Sequence, residues 1–148
     1  MSAADTVTSI GVLDASVAVK LVVPEVGTAE SLLALERPLR WVAPRLLVTE
    51  VASALRQKAA GHELSAIHAA DALAATLDAI ADGVVRLADD EALVQAALNL
   101  ALALNHKVPD CLYLALAERE GATLLSADRK LLTLARRRGV DVIEVPSA

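Results

Sequence analysis

Four carboxylates stand where an α/β chain could turn them to chemistry: Asp14, Glu50, Asp110 and Asp128. Asp14 closes the apolar run IGVLD, and Asp128 closes ATLLSAD. Asp110 follows Pro109 and opens DCLYLALAERE, whose Leu112, Leu114, Ala115 and Leu116 read as a helix about to be buried. Glu50 lies early in RLLVTEVASALRQKAAG, between Val48 and Val51. Each has an ordinary explanation when taken alone. Asp is among the best N-cap residues, because its carboxylate accepts from the free N–H groups of a helix start. That covers Asp14, Asp110 and Asp128, while Glu50 fits a solvated position on the polar side of its helix. If the four converge, like charges about 4 Å apart repel by on the order of 4 kcal/mol per pair at an effective dielectric near 20. A fold keeps such a cost only against a cation, and an all-oxygen acidic donor set suits Mg²⁺ or Mn²⁺ rather than zinc.

The elements that must position these acids follow from apolar runs and breakers. Ile10 to Asp14 reads as a buried strand. SVAVKLVV is a short helix or turn stopped near Pro24, and a helix from Thr28 to about Arg37 ends at Pro38. Trp41 to Ala43 is a second strand. Pro44 opens a helix closed by Gly61, with Leu47, Val48, Val51, Ala52 and Leu55 at helical spacing. Ser65 begins a helix that runs to about Ala81 and is ended by Gly83. Val84 to Leu87 is a third strand, and Asp89 or Asp90 caps a helix from Glu91 to Leu104. A helix from Asp110 to Glu120, a strand within ATLLSAD, a helix from Arg129 to Arg138 and a last strand in DVIEV complete the chain. Strands alternating with helices predict an α/β fold: a parallel sheet of about five strands with helices on both faces. In such sheets ligands sit outside the carboxyl ends of the strands near a topological switch point, the edge at which Asp14, Asp110 and Asp128 would lie.

With 148 residues, 55% of them hydrophobic, the chain reads as one domain over 1–148 with a sizeable core, residues 1–8 forming a flexible N-terminal segment. MSAADTVTSI lacks the basic and apolar regions of a signal peptide, and no apolar run is long enough to span a bilayer. A cytoplasmic protein with no membrane partner is expected. The single cysteine, Cys111, cannot form an internal disulfide, and a small buried thiol is the simplest reading. A net charge of −5 argues against nucleic acid unless cations offset the acidic groups, and 1% aromatic residues exclude a stacking platform for single strands. His62, His68 and His106 are scattered, with surface placement expected for each. Arg136, Arg137 and Arg138 are expected to complement a helix C-terminus, with contact to a nucleic-acid phosphate as the other reading.

The same residues resemble, in order along the chain, a PIN domain, and most closely the VapC-type toxins of bacterial type II toxin–antitoxin systems. VLDAS supplies Asp14 and Ser16; PRLLVTEVASAL resembles the glutamate-bearing helix; VPDCLYLALA carries the third acid with Tyr113, Ala115 and Ala117; LLSAD supplies Ser126 and Asp128. The resemblance spans about Ile10 to Val145. Ser126 replaces the usual Thr and keeps the hydroxyl. Ser53 stands where relatives often carry Asn, and Pro109 where an aromatic is common. The resemblance implies a metal-dependent endoribonuclease in which Asp14, Glu50, Asp110 and Asp128 hold one or two Mg²⁺, with Mn²⁺ able to substitute, and an activated water attacks phosphorus in line. It implies that Ser16 and Ser126 orient carboxylates or water, that the chain forms a homodimer, that its substrate is RNA, and that a cognate antitoxin protein holds it inactive.

Other readings are a PIN-like domain that only binds partners and, from another class, a different Mg²⁺-dependent phosphotransfer protein. A haloacid-dehalogenase-type phosphatase needs Asp-x-Asp after the first strand, where this chain has Asp14 and Ser16. A response-regulator receiver needs an Asp after the third strand, which Asp89 and Asp90 offer, but its late-strand Lys is not apparent.

Overall fold

The computed structural model describes residues 9–148; the segment 1–8 lies outside the described residues. The chain runs β1 (Ser9–Leu13), α1 (Ala15–Val22), α2 (Thr28–Leu35), β2 (Leu39–Pro44), α3 (Leu46–Ala60), α4 (Ala66–Ala81), β3 (Val85–Ala88), α5 (Asp90–Leu104), α6 (Val108–Glu120), β4 (Thr123–Ser126), α7 (Arg129–Arg137) and β5 (Val142–Glu144). The five strands form one sheet in the order β3-β2-β1-β4-β5, and every pairing is parallel. From β1 the chain steps outward to β2 and β3, then returns past β1 to β4 and β5. Right-handed crossovers therefore place α1 to α4 on one face and α5 to α7 on the other, and α1, α3 and α4 pack mutually as α6 packs on α5 and α7. The direction of winding reverses between β1 and β4, so the switch point lies at the ends of these two central strands.

Several boundaries differ from those read in the sequence. Pro44 ends β2 instead of opening the next helix, and it pairs in register with Ala88 of β3. β2 begins two residues early because Leu39 and Arg40 pair with Ser9 and Ile10. α2 stops at Leu35, ahead of Pro38, as expected where the pyrrolidine ring disfavours the helical region just before it. α6 starts at Val108, with Pro109 in its first turn, where a missing N–H costs nothing. Asp110 is thus the third residue of the helix, within its first turn, and makes no cap bond. From Asp110 to Ala117 every residue of α6 is buried. That explains its nearly continuous apolar run: this helix is covered by the sheet on one side and by α5 on the other. No helix among the described residues is long and apolar enough to cross a membrane.

β1 is held close to β2 by a glycine. A Cβ on Gly11 would meet ring carbons of the buried Trp41 at 2.5, 2.7 and 3.0 Å. Gly11→Ala is expected to destabilise the fold by about 1–3 kcal/mol through overpacking, read as a lower denaturation midpoint. An unchanged midpoint would mean that the indole shifts freely.

Candidate active site

The end of β1 delivers Asp14 and the end of β4 delivers Ser126, followed by Asp128. Asp14 is buried, and both Ser16 Oγ, at 2.5 Å, and Ser126 Oγ, at 2.8 Å, donate to its Oδ2. Ser16 Oγ also accepts from the backbone N–H of Ala127 at 3.0 Å, and Ser126 Oγ from that of Asp128 at 3.0 Å. The two hydroxyls therefore stitch the ends of β1 and β4 together through one carboxylate. Burial, the largest influence, pushes the Asp14 carboxyl up to about 6; the two serine hydrogen bonds oppose this, and Glu50 and Asp128 add to it.

Glu50 comes from the second turn of α3. Tyr113 on α6, wholly buried, donates its hydroxyl to Glu50 Oε1 at 2.6 Å. Burial raises the Glu50 carboxyl above its usual range; Tyr113 and Lys107 oppose the rise, and Asp110 and Asp128 favour it. Burial, with Asp14 and Glu50 nearby, drives the Tyr113 phenol far upward, so it remains a donor. Asp110 Oδ2 accepts from His106 Nε2–H at 2.7 Å, and Lys107 Nζ lies 3.8 Å away. Asp128 is the cap of α7: its Oδ1 accepts from the N–H groups of Lys130 at 3.0 Å and Leu131 at 3.3 Å.

All four acids line one open cavity of about 640 Å³. At its other end Lys20, buried, donates to Val26 O at 2.7 Å and to Glu25 at 3.2 Å. Glu25 also pairs with Lys58, which reaches Glu63 at 3.6 Å. Asp89 and Asp90 do not line this cavity. Asp90 Oδ1 instead accepts from the Leu46 N–H at 3.3 Å, and Asp89 lies 3.8 Å from Arg45, so both serve the start of α3.

A shared pattern marks the four carboxylates. Each has one oxygen engaged by a protein donor: Asp14 Oδ2, Glu50 Oε1, Asp110 Oδ2 and Asp128 Oδ1. The other oxygen of each receives no side-chain or cap hydrogen bond among the described residues. This donor set fits an oxygen-seeking divalent cation, with hydrogen bonds behind the ligands orienting them. Among the described residues no three His, Cys, Asp or Glu side chains are closed into a coordination sphere; the acids line the cavity without meeting at one point.

His106 is a correction to the reading of scattered surface histidines. It is mostly buried against Asp110, with its side chain 16% exposed. The signal was its spacing of four residues from Asp110, which has meaning only once the chain is seen to turn into α6 at Lys107. Tyr113 as the partner of Glu50, and the Lys20–Glu25–Lys58 chain, have no local sequence signature.

The fold and the placement of these acids define a class: a parallel α/β domain with an acidic cavity at the switch point of its sheet. Comparison with known proteins supplies the family. The PIN domain model matches residues 11–137, and the chain belongs to the PIN domain family. No curated protein sequence matches it. Among solved structures it is similar to PAE2754 from Pyrobaculum aerophilum, with TM-score 0.69 and 20% identity, covering 91% of this chain and 84% of that one. It is also similar to VapBC2 from Rickettsia felis, solved bound to a DNA fragment from their promoter, with TM-score 0.64 and 14% identity, covering 92% of this chain and 98% of that one. At these identities the likeness is one of fold.

Proposed function

We propose that this protein is a divalent-metal-dependent endoribonuclease and the toxin of a toxin–antitoxin pair. The observation that carries the reading is the set of four carboxylates from four separate elements, each fixed on one oxygen and open on the other, around one cavity at the sheet's switch point. Membership of the PIN family, whose members are generally nucleases, and the fold shared with VapBC2 support it.

Asp14, Glu50, Asp110 and Asp128 would hold Mg²⁺ or Mn²⁺. The bound cation would supply an activated water and offset the charge of the phosphate. The chain's own part is positioning. Ser16 and Ser126 hold the Asp14 carboxylate in one orientation, Tyr113 does so for Glu50, His106 for Asp110, and the first turn of α7 for Asp128. Such support of ligands typically matters by about 10–100-fold in metal affinity or activity. A cognate antitoxin and a homodimer are parts of the same proposal.

The test is cleavage of single-stranded RNA with Mg²⁺, Mn²⁺ or EDTA. Cleavage is expected only with metal, leaving 5′-phosphate and 3′-hydroxyl ends, because a water nucleophile does not use the 2′-hydroxyl. A 2′,3′-cyclic phosphate product, or full activity in EDTA, would overturn the reading. In parallel, millimolar Mg²⁺ should raise the melting temperature by linkage to the native state.

A further inference from the structure

A set of cations, Lys107, Arg129, Lys130 and Arg137, lies beside the carboxylate cavity. Two smaller cavities continue from it along α7. The first, about 350 Å³, is lined by Asn105, His106, Lys107, Asp110, Asp128 and Lys130. The second, about 310 Å³, is lined by His106, Arg129, Lys130, Thr133, Leu134 and Arg137 and contains no acid. Asp110 and Asp128 belong both to the main cavity and to the first of these; His106 and Lys130 belong to both small ones. The three therefore form one continuous groove.

Arg129, Lys130 and Arg137 are exposed, and none forms an ion pair among the described residues. The neighbouring arginines behave differently: Arg136 pairs with Glu144 at 3.1 Å, and Arg138 with Glu118 at 2.7 Å. Arg129, Thr133 and Arg137 follow one another at four-residue spacing, so they share a face of α7. From Arg129 to Arg137 that face extends roughly 12 Å, at about 1.5 Å per residue. Unpaired cations in a row, with no aromatic ring and no exposed apolar anchor among them, suit a sequence-independent grip on a phosphate backbone. A protein tail would be held better by buried apolar or aromatic anchors.

We propose that this groove carries the RNA strand on one side of the scissile bond, with Lys107, Lys130, Arg129 and Arg137 taking successive backbone phosphates. The inference rests on the ribonuclease reading and adds to it the direction in which the substrate leaves the acidic cavity.

The test measures binding apart from cleavage, by fluorescence anisotropy of a labelled single-stranded RNA in Ca²⁺ and in EDTA. One variant combines Arg129→Gln, Lys130→Gln and Arg137→Gln. A control combines Arg136→Gln and Arg138→Gln, which also removes positive charge from α7 and its C-terminal end but lies off the groove. The groove variant should bind roughly tenfold or more weakly, and its log K against log salt should flatten by about 2, at roughly 0.7 per phosphate contact on a single strand. The control should bind within about twofold of the parent, and all three proteins should melt alike, since exposed ion pairs contribute little. Equal losses in the two variants would reduce the effect to net charge and overturn the proposal. So would a groove variant that binds as the parent does, or RNA displaced as readily by polyglutamate as by unlabelled RNA, which would make the groove a seat for acidic protein tails. If the parent cleaves RNA with metal while the groove variant binds unchanged, this inference alone fails. If the parent neither binds nor cleaves RNA, both fail.

Discussion

Asp110→Asn should lower metal-dependent RNA cleavage by on the order of a hundredfold or more while leaving the fold intact. Asp110 is not the cap its place after a proline suggests: Lys107 occupies the cap position, and the carboxylate spends one oxygen on His106 at 2.7 Å. Asn keeps an oxygen that can accept from His106, so the local structure survives. What disappears is a negative charge facing the cavity beside Glu50, whose carboxyl Asp110 helps to raise. Loss of one preorganised electrostatic group at a reacting centre costs about 10²–10³-fold in rate. The melting temperature in EDTA should equal or exceed that of the parent, and the Mg²⁺-induced shift should shrink. Full metal-dependent cleavage by Asp110→Asn would remove this residue from the site.

The second large effect is a dependence of metal-free stability on pH. Asp14 titrates near 3.8 when unfolded and is pushed up to about 6 in the fold, chiefly by burial. Between those values the native state holds a proton that the unfolded chain releases. This contribution is therefore fully present below about pH 4 and is lost as pH rises through 6; at roughly 1.4 kcal/mol per unit it amounts to about 3 kcal/mol. Glu50, also raised, acts in the same direction. Glu25 acts oppositely: burial raises it, but Lys58 and Lys20 outweigh that and hold it below the usual range, so its contribution is lost as pH falls through the acid range. In EDTA the protein should accordingly be most stable near about pH 4 and lose stability as pH rises through about 6. Asp14→Asn should abolish most of that loss and exceed the parent at pH 7 by up to about 3 kcal/mol. Calorimetry that shows no fall between about pH 4 and 6 would mean that the buried carboxylate is stabilised by contacts other than the two serines.

Much of the placement of the candidate acids was legible in residue order. Apolar runs ending in Asp14 and Asp128 mark strand ends, and parallel strands must all present their carboxyl ends at one edge of the sheet, so acids at those ends share that edge; the strand order then makes β1 and β4 neighbours. The long buried helix holding Asp110 was legible from its apolar run. Boundaries were less so, because the two prolines at issue obey their neighbours: Pro44 is kept in β2 by pairing with Ala88, and Pro109 is tolerated inside the first turn of α6.

The sequence by itself determined that this is a parallel α/β chain with Asp14 and Asp128 at strand ends and Asp110 near a helix start, because local apolar periodicity and breakers act over a few residues. Only the tertiary structure decided which oxygen of each acid is held and which is open. Tyr113 meets Glu50 across 63 residues, and Ser126 meets Asp14 across 112. These contacts follow from where the sheet reverses its winding and from how α6 packs beneath it. Likewise the unpaired row Arg129, Lys130 and Arg137 differs from Arg136 and Arg138 only because packing sets Glu144 and Glu118 beside the latter pair. A side chain's partner is set by what the fold brings within about 3 Å of it, and that distance is not encoded in any stretch of chain short enough to read.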